Sequence, residues 1–174
     1  MENSCIKNKE NTSSGNILEF HYLPMPHSVN QSLSSVRGRL IKSAVARAFE
    51  YRFQQYNNAN QLQTAPQIEA FKKTLLSKRP ADRKILFEAK LYFAGCDLYR
   101  TSADRAKGIE VGEPKRLDTS NRIKPLEDRL SEMIGIDDKY FFFIWCSKHQ
   151  STPTSRPWLE SNDAYCSARL SFIA

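Results

Sequence analysis

The chain has 174 residues, of which 40% are hydrophobic and 26% charged, an ordinary balance for one globular domain with a single core. Lys and Arg number 26 against 19 Asp and Glu, so the formal net charge is +7, which favours a polyanionic partner. No stretch of about eighteen consecutive apolar residues occurs, and residues 1–15 lack the apolar core of a signal peptide. We therefore expect a cytoplasmic protein with no membrane partner.

The cysteines are scattered along the chain, with no C-x-x-C pair and no His pair beside them. This pattern favours neither a zinc site nor a disulfide framework. We expect reduced and mostly buried thiols at Cys5, Cys96, Cys146 and Cys166.

The first predicted elements are a polar tail and a strand. Residues 1–16 are rich in Asn, Ser, Glu and Lys, so they predict a disordered tail and leave residues 17–174 as a single domain. The apolar run over residues 17–23 predicts a strand that stops at Pro24 and Pro26, because proline cannot donate to a strand ladder. Residues 25–33 are expected to form a loop.

Two helices are predicted next. Apolar residues recur at three- and four-residue spacing from Ile41 to Tyr56, a pattern typical of an amphipathic helix. Residues 57–66 are rich in Asn and Gln and predict a connection that ends at Pro66. A shorter helix is expected over residues 67–77.

Strand patterns dominate the second half of the chain. Apolar and polar residues alternate from Ile85 to Phe93, which predicts a core strand, and further strands are expected over residues 140–146 and 166–172. The aromatic run from Tyr140 to Trp145 is typical of a strand buried on both faces, with a base-stacking platform as the alternative. Together these elements predict an α+β fold in which helices pack on a mixed β-sheet.

A basic loop is predicted over residues 96–116, where glycines and a proline occur among positive charges. We expect this loop to be mobile and to bind DNA phosphates. The residues expected to do so are Arg100, Arg105, Lys107, Lys115 and Arg116.

The segment from Asp118 to Asp138 contains the most informative helical pattern. Apolar residues from Ile123 to Ile134 fall on one side of a helix, and the polar residues Asn121, Lys124 and Asp128 fall on the other. Asp118 comes just before this helix, where Asp commonly caps free amides. The pair Asp137 and Asp138 follows it.

Carboxylates grouped near a lysine provide what a Mg²⁺ site requires, because Mg²⁺ prefers carboxylate oxygens and retains several waters. Such an ion can polarise a phosphodiester, while Lys124 adds positive charge beside the reacting phosphate. The structural alternative is that Asp118 only caps the helix and that Asp137 and Asp138 only form a turn.

The same segment resembles the signature of the RusA family of Holliday-junction resolvases. The matching residues are Asp118, Asn121, Lys124, Asp128, Asp137 and Asp138. Residues 23–30 also resemble the N-terminal strand end and Pro-rich loop of that family, which ends in Asn. The resemblance spans residues 17–174.

The resemblance implies a homodimer of mixed α/β subunits that binds Mg²⁺, or Mn²⁺ in its place, and makes paired nicks across branched DNA in recombination and repair. Asp118 and Asp138 are then metal ligands, and Asp137 assists them. Lys124 becomes the cation near the scissile phosphate, with Asn121 and Asp128 in supporting roles. It also implies a cytoplasmic enzyme associated with the nucleoid, of cellular or phage origin.

Two departures leave alternatives open. Ser120 stands where the family usually has a second Asp, and the loop over residues 96–116 is longer than expected. Loss of one carboxylate could leave a dimeric branched-DNA-binding protein without catalysis. A nuclease of another class, using Asp82, Glu88 and Lys90 in a D…ExK arrangement, is the other alternative.

Overall fold

The computed structural model describes residues 15–36, 39–93, 119–152, 154–159 and 164–173. In chain order these residues form strand β1 (Ile17–Pro24), β2 (Leu33–Val36), β3 (Arg39–Lys42), helix α1 (Ala44–Ser77), β4 (Ile85–Phe93), α2 (Ser120–Ile134), β5 (Phe141–Gln150) and β6 (Tyr165–Phe172). Short 3-10 helices occur at Val29–Gln31, Pro80–Asp82 and Asp138–Tyr140. The α+β class with a mixed sheet and helices, expected from the sequence, is confirmed.

The main sheet has four strands in the order β1-β6-β4-β5. Strand β4 pairs with β5 in parallel, whereas the β1–β6 and β4–β6 pairs are antiparallel. Parallel neighbours need a crossover connection, and α2 lies within the chain segment that joins β4 to β5. This topology places the start of β5 directly after the end of α2.

The core lies between one face of the sheet and the two helices. The alternation predicted for β4 is confirmed, since Ile85, Phe87, Ala89 and Leu91 are fully buried. The helices contribute Phe49, Phe53 and Phe71 from α1 and Leu126, Leu130 and Ile134 from α2. The opposite face of the sheet is polar, and there Arg169 pairs with Glu19 and Glu88.

Helix α1 is one continuous helix of 34 residues, so the predicted break over residues 57–66 is wrong. Side chains in that stretch bond to helix carbonyls, Asn60 Nδ2 to Tyr56 O at 2.8 Å and Thr64 Oγ1 to Asn60 O at 3.1 Å. Pro66 removes one backbone bond near Leu62, which is 94% exposed, so water can solvate the freed carbonyl there. Burial of Ile68, Phe71 and Leu75 against the core then favours continuation.

A small hairpin, β2–β3, precedes α1 and was not predicted from the sequence. Ile41, expected in the helix, lies in β3, and the predicted loop over residues 25–33 contains a 3-10 helix and the first residue of β2. The hairpin has no buried face, so its sequence shows no strand alternation. Helix α1 begins only after Ser43, whose side chain accepts a bond from Ala46 N.

Several predictions fall outside the described residues. These include almost all of the tail over residues 1–16, the basic loop over residues 96–116 with its five DNA-contact residues, and Asp118. Of the cysteines, Cys166 is buried and Cys146 half-buried, both as free thiols, while Cys5 and Cys96 are not described. Among the described residues, no helix has the length and apolarity needed to cross a membrane.

Strand β5 differs from its prediction in burial. Phe141 is buried, but the next four residues are each about half exposed, so the prediction of a strand buried on both faces is wrong. The exposed residues are Phe142 (58%), Phe143 (56%), Ile144 (49%) and Trp145 (54%). They are exposed because β5 is an edge strand of the sheet.

The turn after α2 depends on Gly135, which adopts the left-handed conformation with φ of 63° and ψ of 38°. Its N–H and that of Ile136 both donate to Ser131 O, which ends the helix and directs the chain toward Asp137 and Asp138. A β-carbon at this position would meet only the Lys72 Nζ, at 3.6 Å. The need for glycine here is therefore conformational and not steric.

We expect Gly135→Ala to lower the free energy of unfolding by about 1 kcal/mol, because alanine pays for the left-handed conformation. Gly135→Asn should cost less, since Asn tolerates that region. Urea titrations followed by circular dichroism measure both variants. Equal stability of the alanine variant and the unmodified protein would contradict this account of the turn.

Candidate functional site

Lys124 lies between two carboxylates at the junction of α2 and β5. Its Nζ is 3.0 Å from Asp128 Oδ1 and 2.5 Å from Asp138 Oδ2. Asp128 is one helical turn further along α2, and Asp138 opens the 3-10 helix that leads into β5. The structure therefore brings together three of the residues that the sequence singled out.

The two carboxylates fix the protonation state of Lys124. Hydrogen bonds from Asp138 first and Asp128 second raise the pKa of the Lys124 ammonium above its usual value, against a small opposing effect of burial. Lys124 thus remains positively charged throughout the neutral range. It can act as a fixed cation but not as a general base.

Glu127 is a third carboxyl group near Lys124, and it is only 7% exposed. Burial raises the pKa of Glu127, and the charges of Asp138 and Asp128 raise it further, while Lys124 lowers it. Glu127 therefore takes up a proton more readily than an ordinary glutamate. From the sequence, Glu127 is one of two carboxylates, with Asp128, that could replace the one missing at position 120, and it follows Leu126 on the boundary between the apolar and polar sides of the helix.

Asp137 stabilises the turn between α2 and β5. Its Oδ1 accepts a bond from Lys139 N at 3.0 Å, and its Oδ2 lies 2.8 Å from Lys139 Nζ. These contacts with Lys139 lower the pKa of Asp137, and its carboxylate caps the 3-10 helix. The structure thus places Asp138 against Lys124 and engages Asp137 with Lys139.

The N-terminal end of α2 positions the remaining predicted residues. Thr119 is the N-cap, with no side-chain capping bond, and Ser120 is the exposed first residue of the helix. Asn121 follows half-buried. Asp118 lies immediately outside the described residues, so the structure gives no distance between its carboxylate and that of Asp138.

Arg122 links α2 to the Pro-rich segment that follows β1. Its Nη1 donates to Pro26 O at 2.6 Å, and its guanidinium lies 5.8 Å from the centre of the Phe93 ring. The segment is thereby held against the start of α2. Sequence analysis missed this role, because a contact between residues 96 positions apart leaves no periodic signal.

A cleft of about 180 Å³ adjoins the Lys124 site and shares Asp128 with it. Glu50 Oε1 lies 2.7 Å from Lys42 Nζ and 2.9 Å from Arg129 Nη2, so one carboxylate ties the hairpin and both helices together. His27 also lines the cleft, and its Nε2 is 3.0 Å from Ser32 Oγ. These ion pairs were not predicted, since their partners come from separate elements.

In the alternative D…ExK arrangement, Glu88 and Lys90 line one cleft on the polar face of the sheet, and Asp82 does not belong to that cleft. Asp82 pairs with Arg79 at 2.7 Å, at the entrance to β4. Glu88 lies in the middle of β4 and faces Arg169 at 3.6 Å, on the polar face of the sheet. Asp82 and Glu88 thus have different basic partners.

The carboxylates beside Lys124 are the candidate metal ligands of this site. Among the described residues, no group of three or more His, Cys, Asp and Glu side chains is arranged to hold a metal ion. Asp128 and Asp138 nevertheless direct carboxylate oxygens at one cationic nitrogen, so they fit a hard cation. Asp118, the other expected ligand, precedes α2 in the sequence and lies outside the described residues.

No family model matches the chain, and no curated protein matches it. The resemblance to the RusA family therefore depends on the residues of the segment from Asp118 to Asp138 and of the Pro-rich segment.

His27 gives the cleft a pH dependence. It is 9% exposed, and its Nδ1 is buried without a partner. Burial lowers the pKa of His27, as do the charges of Arg122, Arg129 and Lys42, while Glu50 opposes them. The folded protein therefore binds this proton less readily than the unfolded chain.

We expect the free energy of unfolding to fall as the pH drops below about 6.5, because the unfolded chain then takes up the His27 proton first. His27→Gln should reduce this loss, since glutamine does not titrate. Urea titrations at pH 7 and pH 5 compare the two proteins. The same pH dependence in both would show that His27 does not contribute.

Proposed function

We propose that this protein is a Mg²⁺-dependent endonuclease of the RusA type that nicks Holliday junctions and related branched DNA during recombination and repair. The observation that carries the proposal is the placement of Lys124 between Asp128 and Asp138, at the end of α2 and the start of β5. A fixed cation beside carboxylates is what phosphodiester hydrolysis requires: metal ligands and a charge for the reacting phosphate.

Each residue of the candidate site has its own proposed role in phosphodiester hydrolysis. Asp118 and Asp138 would hold the metal ion, which would supply polarisation of the phosphodiester and a water molecule of lowered pKa. Lys124 remains charged and neutralises a non-bridging phosphate oxygen. Asp128 orients Lys124 across one helical turn, and Asn121 is placed one turn earlier on the same side of α2.

DNA binding is supported by the net charge of +7. The basic residues of the 96–116 loop are the proposed phosphate contacts, and they precede the candidate site directly in the chain. The branched substrate has approximate two-fold symmetry, so a symmetric pair of subunits can present one site to each of two strands.

A second candidate function is branched-DNA binding without catalysis. The observation in its favour is the residue at position 120. Ser120, which supplies no carboxylate, occupies the exposed start of α2 where the family has an acidic residue. Both candidates predict junction binding, and only the first predicts cutting.

Replacing a proposed metal ligand should separate chemistry from binding. We expect Asp138→Asn or Asp118→Asn to lower the rate of cutting a synthetic four-way junction at least about hundredfold. Junction affinity should be unchanged or tighter, because a negative charge beside a phosphate is removed. Single-turnover cleavage with Mg²⁺ and gel-shift titration without it measure the two effects.

Two carboxylates outside the candidate site provide matched controls: Glu88 on β4, and Asp82 in the 3-10 helix before that strand. Asp82→Asn and Glu88→Gln remove carboxylates of the same kinds and should cut at nearly the original rate. Circular dichroism checks folding, and loss of the exposed Lys124–Asp138 pair should cost less than about 1 kcal/mol. If Glu88→Gln abolished cutting while Asp118→Asn cut normally, the D…ExK alternative would replace this proposal.

Restoring a carboxylate at position 120 should strengthen metal binding. We expect Ser120→Asp to lower the Mg²⁺ concentration for half-maximal cutting by about an order of magnitude, because an added negative ligand raises affinity for a hard cation. The original protein should need high Mg²⁺, or work better with Mn²⁺, which binds most sites more tightly. Cleavage titrated against each metal measures both expectations.

The outcomes of this titration distinguish the two candidate functions. Superimposable curves would assign position 120 to helix structure, which an aspartate serves equally well. Metal-dependent cutting by Ser120→Asp together with no cutting by the original protein would favour the non-catalytic DNA-binding protein.

A further inference from the structure

The β2–β3 hairpin presents both of its faces to solvent. None of the residues in its two strands is buried, so neither face packs against the main sheet or the helices. A two-stranded hairpin alone is at best marginally stable in water, because it buries little apolar surface. The hairpin nevertheless exposes four large apolar side chains: Leu33 (57%), Val36 (47%), Leu40 (73%) and Ile41 (41%). Apolar side chains grouped in this way on the surface indicate contact with another molecule.

The strand register mixes apolar and cationic side chains on each face. Directly paired residues of an antiparallel ladder lie on the same face, and successive residues alternate between faces. One face comprises Leu33, Ser35, Leu40 and Lys42. The other face comprises Ser34, Val36, Arg39 and Ile41. Each face therefore presents two apolar side chains, one serine and one cation.

The chain segment that contains the hairpin has no acidic residue. Residues 20–49 include no Asp or Glu, whereas Arg39, Lys42 and Arg47 lie in or next to the hairpin. Lys42 pairs with Glu50 at 2.7 Å, but Arg39 forms no ion pair within the described part of the chain. A cationic segment without carboxylates attracts a polyanion, and it repels a second copy of itself.

The base of the hairpin adjoins the candidate site. Leu33 and Lys42, which lie at that base, line the cleft that contains Asp128. Asp128 in turn pairs with Lys124 at 3.0 Å. The base is held in place by Glu50, whose carboxylate lies 2.7 Å from the Lys42 ammonium. A DNA phosphate bound by Lys124 would therefore lie next to the base of the hairpin.

The dimensions of the hairpin suit insertion into DNA. From Leu33 to Val36 the strand extends by about 10 Å, at roughly 3.3 Å per residue. The major groove is about 8.5 Å deep and admits a two-stranded ribbon. Phosphates can satisfy the cations of the hairpin, but they offer nothing to its apolar side chains. Apolar side chains instead gain contact by wedging between base steps, where bases unstack.

We propose that the β2–β3 hairpin enters branched DNA at the branch point, where Val36 and Leu40 contact unstacked bases and Arg39 contacts a flanking phosphate. Unstacking costs least where pairing and stacking are already interrupted, so the hairpin selects branched over linear DNA. This inference rests on the proposed function for its substrate. It assigns recognition of the branch to the hairpin and leaves the chemistry to the Lys124 site.

Substitutions in the hairpin should separate branch recognition from general DNA affinity. We expect Leu40→Ser to lower the affinity for a synthetic four-way junction at least about tenfold, and that for a linear duplex of one arm less than about twofold. Arg39→Gln should weaken both complexes alike and reduce the salt dependence of binding by about one released counterion. Gel-shift titrations without metal, over a range of salt concentrations, measure these effects.

The matched control is Leu62→Ser on α1, where the side chain is 94% exposed. It makes the same chemical change as Leu40→Ser but lies outside the hairpin, so both affinities should stay unchanged. Circular dichroism should show the same unfolding midpoint for the original protein and all three variants, because the substituted side chains are exposed.

A fluorescent base at the branch point provides a readout that does not depend on affinity. The fluorescence of 2-aminopurine rises when the base leaves the stack. At saturating protein the original chain should raise this signal in the junction, and Leu40→Ser should raise it much less. A hairpin that only stabilised the fold would leave the signal of the saturated complex unchanged.

Several results would overturn the inference. Leu40→Ser binding that equals the original, or equal losses on junction and duplex, would exclude a wedge at the branch. An original protein that bound no junction would do the same. Self-association of the original protein without DNA, lost in Leu40→Ser by sedimentation velocity, would assign the hairpin to contact with a second copy instead.

These measurements are independent of cutting, because they contain no metal. Hairpin-dependent junction binding by a protein that cut nothing when Mg²⁺ was added would contradict the proposed function and leave this inference intact. Metal-dependent junction cutting by a protein whose binding ignored the hairpin substitutions would do the reverse.

Discussion

The parallel pairing of β4 with β5 determines how the rest of this structure is arranged. Because parallel neighbours run in the same direction, the chain must return from the end of β4 to the start of β5, and α2 lies on that return. The turn at Gly135 then delivers the chain to β5, and Asp138 meets Lys124, which lies about three turns before the end of the helix. The candidate site is thus a product of the crossover and not of any one element.

Solvent exposure gives the Lys124 site its chemical character. Lys124, Asp128 and Asp138 have side chains that are 52%, 50% and 40% exposed, so water screens their attraction and each pair stabilises the fold only slightly. A divalent cation or a phosphate can compete for such partners at little cost in stability. Glu127 differs, because burial destabilises its charged form. The protonation of Glu127 therefore depends on the positive charges nearby.

Local periodicity explains what the sequence could predict. The burial of alternate β4 residues and the apolar side of α2 follow from spacing alone, as does the placement of Lys124 and Asp128 on one side of the helix. Continuity of α1 past Pro66, the exposure of β5 and the bond from Arg122 to Pro26 depend on which elements cover which. The sequence pattern indicates that a strand is apolar, but only the order of the strands in the sheet determines whether a neighbouring element buries that strand.

Strand β5 connects the candidate site with the edge of the main sheet. The 3-10 helix that contains Asp138 leads directly into β5, so anything that orders the strand also limits the freedom of that carboxylate. An edge strand held on one side only can fray, whereas one paired on both sides cannot do so without breaking the second ladder. Because β5 pairs only with β4 among the described residues, the position of Asp138 depends on that one ladder.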